Sequence, residues 1–194
     1  MPFRSSRASA RVAGTRIALA LSGLAALSGC GWFSSSSSPP ATTAASAAAC
    51  PTVAILRSLS QTAVFAPGTP RQPTGVAFYG ILSDVESKCT RSGDAVLVSL
   101  DTVIIGERGP ASGAATGVDL QYFIAATGPD ETILSKRTLP VQIALPAGAR
   151  RAGITDRVEE WVHLGGRPPA DIRVVLGFQQ SPEIVQFYRN FRGR

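Results

Sequence analysis

Apolar residues alternate with polar residues through much of positions 50–194, and glycine and proline interrupt the alternation. Successive side chains of a β-strand point to opposite faces, so a period of two indicates strands with one face against a core. The clearest run is Leu139, Val141, Ile143 and Leu145. This pattern favours a fold built mainly of strands for positions 50–194, and the segment is long enough for one domain with its own core.

The alternation predicts strands at 53–56, 76–85, 95–109, 118–124, 139–145, 154–164 and 172–178. A short strand at 62–65 is expected to continue the sheet edge begun by 53–56. The run 95–109 carries apolar residues on both faces, which indicates a central position in its sheet. Tight turns are expected at Ser92-Gly93-Asp94 and at Gly128-Pro129-Asp130.

Two segments leave alternatives open. Pro140 and Pro146 indicate that strand 139–145 lies at a sheet edge or is shorter than its pattern. Asp156 and Glu160 share the parity of the apolar residues around them, so a helix over 155–163 competes with the strand.

The predicted fold class is all-β: an antiparallel β-sandwich of about seven strands, with a small barrel as the alternative. Its architecture is loosely similar to immunoglobulin-like and fibronectin type III modules, although the Cys-Trp-Cys spacing of antibody domains is missing. Ser181-Pro182-Glu183 provides an N-cap, a proline at the first helical position and an acid in the first turn. A short C-terminal helix is therefore expected to end near Phe191.

The N-terminus carries a secretory signal pattern. Four arginines and no acid precede the apolar run IALALSGLAAL at 17–27, which is too short to span a bilayer as a helix. The following Leu27-Ser28-Gly29-Cys30 resembles the bacterial lipobox. The resemblance implies cleavage before Cys30, a diacylglycerol on its sulfur and usually an acyl chain on its amine.

In Gram-negative lipoproteins the residue after the lipidated cysteine influences sorting, and Gly31 favours the periplasmic face of the outer membrane, with the inner membrane as the alternative. Residues 31–49 contain no charge and are rich in serine and alanine, which is typical of a flexible tether. The expected organisation is a signal peptide at 1–29, the lipidated cysteine and tether at 30–49, and a β-sandwich domain at 50–194.

Charge argues against nucleic acid as a partner. The chain has 19 basic and 13 acidic residues, but four arginines lie in the segment to be removed, which leaves 15 minus 13, about +2. With Cys30 lipidated, Cys50 and Cys89 form an even pair in an oxidising compartment, and we expect them to be bridged.

No catalytic or metal-binding motif is recognisable, so we expect no enzyme, metal or cofactor. His163 is the single histidine and is expected on the surface. Glu159 and Glu160 are adjacent, so a strand would point their carboxylates to opposite faces. Carboxylates distant in sequence could still pair in the fold.

The last residues interleave aromatic and basic side chains. A surface that binds a partner is possible at Phe187, Tyr188, Arg189, Phe191 and Arg192. Packing of the same helix against the sandwich is the alternative. The function expected from the sequence is that of a lipid-anchored interaction or structural module of the cell envelope, held in the membrane by its lipid and bound to an envelope protein. The alternatives are a carrier or chaperone of an apolar ligand and, less favoured, a hydrolase.

Overall fold

The computed structural model describes residues 50–191, which form eight strands and one α-helix. The strands are β1 (Thr52–Ile55), β2 (Gln61–Phe65), β3 (Val76–Ser92), β4 (Ala95–Arg108), β5 (Gly117–Thr127), β6 (Ile133–Ala144), β7 (Arg151–His163) and β8 (Arg173–Phe178). The helix is α1 (Pro182–Asn190), and 3₁₀ turns occur at Arg57–Leu59, Pro73–Gly75 and Pro169–Asp171. The predicted signal peptide, Cys30, the tether and Arg192 lie outside the described residues.

The strands form two four-stranded sheets, which confirms the predicted sandwich. The first sheet has the order β1-β8-β5-β6 and the second has the order β2-β3-β4-β7. Hydrogen bonding does not continue from one sheet to the other, so residues 50–191 do not form the alternative small barrel. All pairings are antiparallel except β1 with β8, which is parallel.

The structure corrects two expectations. Strand β2 does not continue the edge formed by β1, because the 3₁₀ turn at Arg57–Leu59 carries the chain from the first sheet to the second. The helix considered over 155–163 is also absent from the described chain, since β7 pairs with β4 along its whole length. The central position of β4 and the edge position of proline-containing β6 are as predicted.

Large side chains fill the space between the sheets. Alternate residues of β4, from Val96 to Ile104, face this core, and Tyr122, Phe178 and Leu164 are fully buried in it. Gly80 lies in the same core where a Cβ would come within 2.8 Å of Leu120 and Thr62 side-chain atoms. The core is therefore closely packed where β3 crosses the first sheet.

A disulfide joins Cys50 to Cys89, as the sequence predicts. Cys50 lies two residues before edge strand β1 of the first sheet, and Cys89 belongs to β3 of the second sheet. The bond therefore links the two sheets at one edge and does not cross the centre of the sandwich.

Helix α1 starts where its sequence signals predict. The Ser181 side chain accepts a hydrogen bond from the Ile184 backbone N–H at 3.4 Å, and Pro182 occupies the first turn. The helix packs on the outer face of the second sheet, against Ala63 and Val76. Within the described residues, no helix combines the length and apolar character needed to cross a membrane.

Candidate functional site

An aromatic cluster fixes α1 to the sandwich. Phe187 is only 4% exposed, and its ring centroid lies 5.2 Å from each of Phe65, Tyr188 and Phe191. Two of these contacts are edge-to-face, the arrangement that the quadrupole of an aromatic ring favours. Phe187 is therefore the residue that anchors the helix.

Beside this cluster lies an open groove of about 1090 Å³, which we call the α1 groove. One wall comes from the C-terminal half of α1, and the other comes from the first two 3₁₀ turns, β2 and β3. Its lining residues are Arg57, Ser58, Ser60, Gln61, Gln72, Pro73, Thr74, Tyr79, Phe187, Tyr188 and Phe191. Aromatic surface therefore faces a rim of hydroxyl and amide groups.

The electrostatics of the α1 groove are simple. Among its lining residues Arg57 is the single charged side chain. Burial raises the pKa of Tyr188 above its usual value, with a smaller contribution from Tyr79. Burial and the nearby Glu107 carboxylate raise the pKa of Tyr79 as well. Both phenols are therefore neutral at physiological pH, and the groove combines neutral aromatic surface with one positive side chain, Arg57.

The Tyr188 hydroxyl is buried and has no hydrogen-bond partner among the described residues.

Arg71 binds the N-terminal end of α1. Its Nε donates to Glu183 Oε2 at 2.9 Å, and its guanidinium lies 4.8 Å from the centre of the Phe65 ring. The ion pair with Glu183 links the loop before β3 to the first turn of α1.

The structure divides the predicted partner surface. Phe187 is buried and packs against the sheet, whereas Tyr188 and Phe191 are half-buried and line the α1 groove. Arg189 is exposed on the helix, outside the residues that line the groove. Arg192 lies outside the described residues, so four of the five residues can be placed.

Sequence reasoning missed the wall of the groove opposite α1. Arg57, Gln61 and Gln72 are more than 100 positions away from Tyr188 along the chain. They meet the helix because β2 and β3 carry the two 3₁₀ turns towards it. No local pattern marks them, since a polar residue in a turn has the same appearance whether or not a helix lies over it.

A second polar cluster lies between the two sheets, where edge strands β6 and β7 approach each other. The Tyr122 hydroxyl donates to Asp156 Oδ2 at 2.7 Å. Arg137 forms an ion pair with Glu160 Oε2 at 3.0 Å and donates to the Glu159 carbonyl at 3.1 Å. The two acids that interrupt the apolar face of β7 are therefore satisfied by residues of the first sheet.

The remaining candidates for chemistry lie apart from one another. His163 is exposed at the end of β7, and Glu159 and Glu160 occupy opposite faces of that strand, as expected. Within residues 50–191, no three histidine, cysteine, aspartate or glutamate side chains are grouped so that they could hold a metal ion. The fold thus defines a two-sheet sandwich with one helix-lined groove on its outer face.

Comparison of the chain with protein-family models, with curated proteins and with solved structures gave no match in any of the three searches.

Proposed function

We propose that this chain is a lipid-anchored lipoprotein of the cell envelope that acts as a non-enzymatic interaction module and receives its partner in the α1 groove. The observation that carries the proposal is the lipobox-like Leu27-Ser28-Gly29-Cys30 directly after a basic region and a short apolar run. Cys30 would carry the lipid, and the periplasmic face of the outer membrane would be the location.

Physical chemistry supports a lasting attachment. Each buried methylene of an acyl chain contributes about 0.8 kcal/mol, and one chain alone binds reversibly. Two or three chains on Cys30 would hold the protein in the membrane. The uncharged residues between Cys30 and Cys50 would then separate the sandwich from the lipid surface.

The α1 groove supports the choice of an interaction module. Its aromatic floor offers apolar area, its rim offers hydrogen-bonding groups, and Arg57 favours an acidic group on the partner. These groups can bind a partner protein without any side chain that takes part in catalysis.

A carrier of an apolar ligand is the second candidate. A carrier would require a hollow, and the space between the sheets is filled by fully buried side chains such as Tyr122, Phe178 and Leu100. The ligand would therefore have to occupy the α1 groove as well. Envelope hydrolysis has less support, because His163 stands exposed at a strand end.

The first experiment measures the intact mass of the protein purified from bacterial membranes. We expect a chain that begins at Cys30 and carries diacylglycerol and acyl chains, and we expect Cys30→Ser to lose both the modification and membrane attachment. An unmodified chain recovered from the soluble fraction would overturn the lipid anchor.

The second experiment tests the groove in the same membranes by chemical crosslinking followed by identification of the captured protein. Arg57→Glu should reduce recovery of a specific envelope partner at least tenfold. Arg173→Glu, which reverses an exposed arginine of β8 away from the groove, is the matched control. Deletion of 187–194 is less suitable because it removes buried Phe187. Equal recovery of the partner with both substitutions would contradict binding in the α1 groove. An apolar small molecule that co-purifies in place of a protein would favour the function of a ligand carrier.

A further inference from the structure

Strand β7 ends the second sheet, and among the described residues no strand pairs with the outward side of its backbone, where the Glu159 carbonyl accepts a hydrogen bond from the Arg137 side chain. The Arg150 carbonyl accepts a hydrogen bond from the Arg108 backbone N–H, and the Leu164 N–H donates to the Asp94 carbonyl. At both ends of β7, the backbone N–H and C=O groups of even-numbered residues therefore point towards β4. Pairing between these ends has no register shift. Since backbone groups alternate along a strand, the odd-numbered residues from 153 to 163 direct their N–H and C=O groups away from the sheet.

Natural sheets protect their edges with prolines, bulges, short strands or inward-pointing charges that a new strand would leave without partners. The described structure shows such devices at the other three edges: Pro140 in β6, a register shift in β2 and only four residues in β1. Strand β7 is 13 residues long and contains neither proline nor bulge. It also exposes 54% of Trp161, one of two large apolar residues exposed in residues 50–191.

We propose that two copies of this chain pair through their β7 strands, antiparallel and across a two-fold axis at Val158, to form a continuous eight-stranded sheet. In this register residue i of one copy faces residue 316 minus i of the other. The six outward-facing residues 153 to 163 then all find partners, which gives roughly twelve backbone hydrogen bonds, two for each pair.

The side chains on the outer face favour this register over the two that lie one residue to either side. Arg157 lies opposite Glu159 of the second copy, twice by symmetry, and Trp161 lies opposite Thr155. Unlike charges and an aromatic paired with a β-branched residue are favourable cross-strand neighbours. A shift of the axis to Arg157 or to Glu159 would instead place like charges opposite each other, which is destabilising.

The side chains on the inner face of β7 are also compatible with this pairing. Val158 meets Val158 of the second copy, and Ile154 meets Val162. Asp156 faces Glu160 of the second copy, but each acid already has a partner in its own copy, Tyr122 or Arg137. The Glu159 carbonyl that Arg137 reaches has a second lone pair for the new strand.

The test uses symmetric disulfide crosslinking of the full-length chain in oxidised bacterial cells. Val158→Cys should give a covalent homodimer, because self-paired residues at the axis have Cα atoms about 4.5 Å apart. Ile154→Cys is the matched control, since it is also half-buried on the inner face of β7. Its own copies would lie roughly 27 Å apart, eight residues along the strand. We expect at least tenfold more dimer with Val158→Cys.

Charge reversal gives an independent test in the Val158→Cys background. Glu159→Arg alone should reduce the dimer at least tenfold, and adding Arg157→Glu should restore it. Because Arg157 also forms an ion pair with Asp101 of its own copy at 3.1 Å, Asp101→Asn is included in every variant of this series. Unfolding temperatures of all variants check that the sandwich is intact. Equal crosslinking at 154 and 158, no dimer from folded Val158→Cys, failure of the double reversal to restore it, or a crosslinked product containing a different protein would each overturn the proposal.

Discussion

Replacing Tyr122 with phenylalanine should destabilise the protein at neutral pH and make its stability less sensitive to alkali. The Tyr122 side chain is fully buried, and its hydroxyl donates to Asp156 at 2.7 Å. Burial and this hydrogen bond raise the pKa of Tyr122 far above its usual value of about 10. The folded state therefore keeps a proton that the unfolded chain releases above pH 10.

The sign and size of the effect follow from linkage. Because the folded pKa is raised, the stabilisation is fully present below pH 10 and is lost as the pH rises towards the folded pKa. The loss is about 1.4 kcal/mol per pH unit for one proton. The phenylalanine variant lacks this slope, but it also lacks a hydrogen bond to a charged acceptor, worth about 2 kcal/mol at neutral pH. The two stability curves should converge near pH 11.5.

The assay is urea unfolding of both proteins from pH 7 to pH 11.5. Burial also raises the pKa values of Tyr79 and Tyr188, but those residues are present in both proteins and their contributions cancel in the difference. A difference that stays near 2 kcal/mol at every pH would show that Tyr122 ionises equally in both states. Equal stability at pH 7 would show that the Asp156 contact contributes nothing.

Three further changes test the packing. Replacing Cys50 and Cys89 together by alanine should lower the unfolding free energy by about 4 kcal/mol, since the bond closes a loop of 39 residues; urea unfolding of reduced wild type should agree. Gly80→Ala should cost about 1–3 kcal/mol because its Cβ would lie 2.8 Å from core side-chain atoms, whereas Gly153→Ala, with its nearest contact at 3.4 Å, should change stability by less than about 0.5 kcal/mol. Phe187→Ala should cost about 3 kcal/mol by calorimetry, and a loss below about 1 kcal/mol would contradict its role as the helix anchor.

The fold class followed from local pattern because strand alternation, turns and helix caps depend on neighbours in sequence. Pro140 indicated the edge position of β6, and the apolar residues on both faces of β4 indicated its central position. The assignment of strands to sheets depends on distant contacts. Strand β1 pairs in parallel with β8, more than 100 residues away, and nothing local to Val53 or Val174 specifies that partner.

The candidate site shows the same division. The helical spacing of Phe187, Tyr188 and Phe191 is visible in the sequence, so one wall of the α1 groove could be anticipated. Whether an aromatic side chain is buried or lines a groove depends on the sheet beneath it. Phe187 faces Ala63 and Val76, so it is buried, whereas Tyr188 points to the side where the polar residues of the 3₁₀ turns leave space.

Strand β7 illustrates how an irregularity in a pattern can carry information. Asp156 and Glu160 interrupt its apolar face, so in the sequence a helix competes with the strand that the alternation predicts. The structure resolves the interruption through Tyr122 of β5 and Arg137 of β6, both from the other sheet. Inward-facing charges protect a sheet edge when a new strand would leave them unpaired. Here Asp156 accepts a hydrogen bond from Tyr122 and Glu160 forms an ion pair with Arg137, so a new strand would leave neither acid without a partner. A long edge that is regular on its outer face, and whose inward acids are held by Tyr122 and Arg137 of the same copy, is suited to receive a second copy of itself.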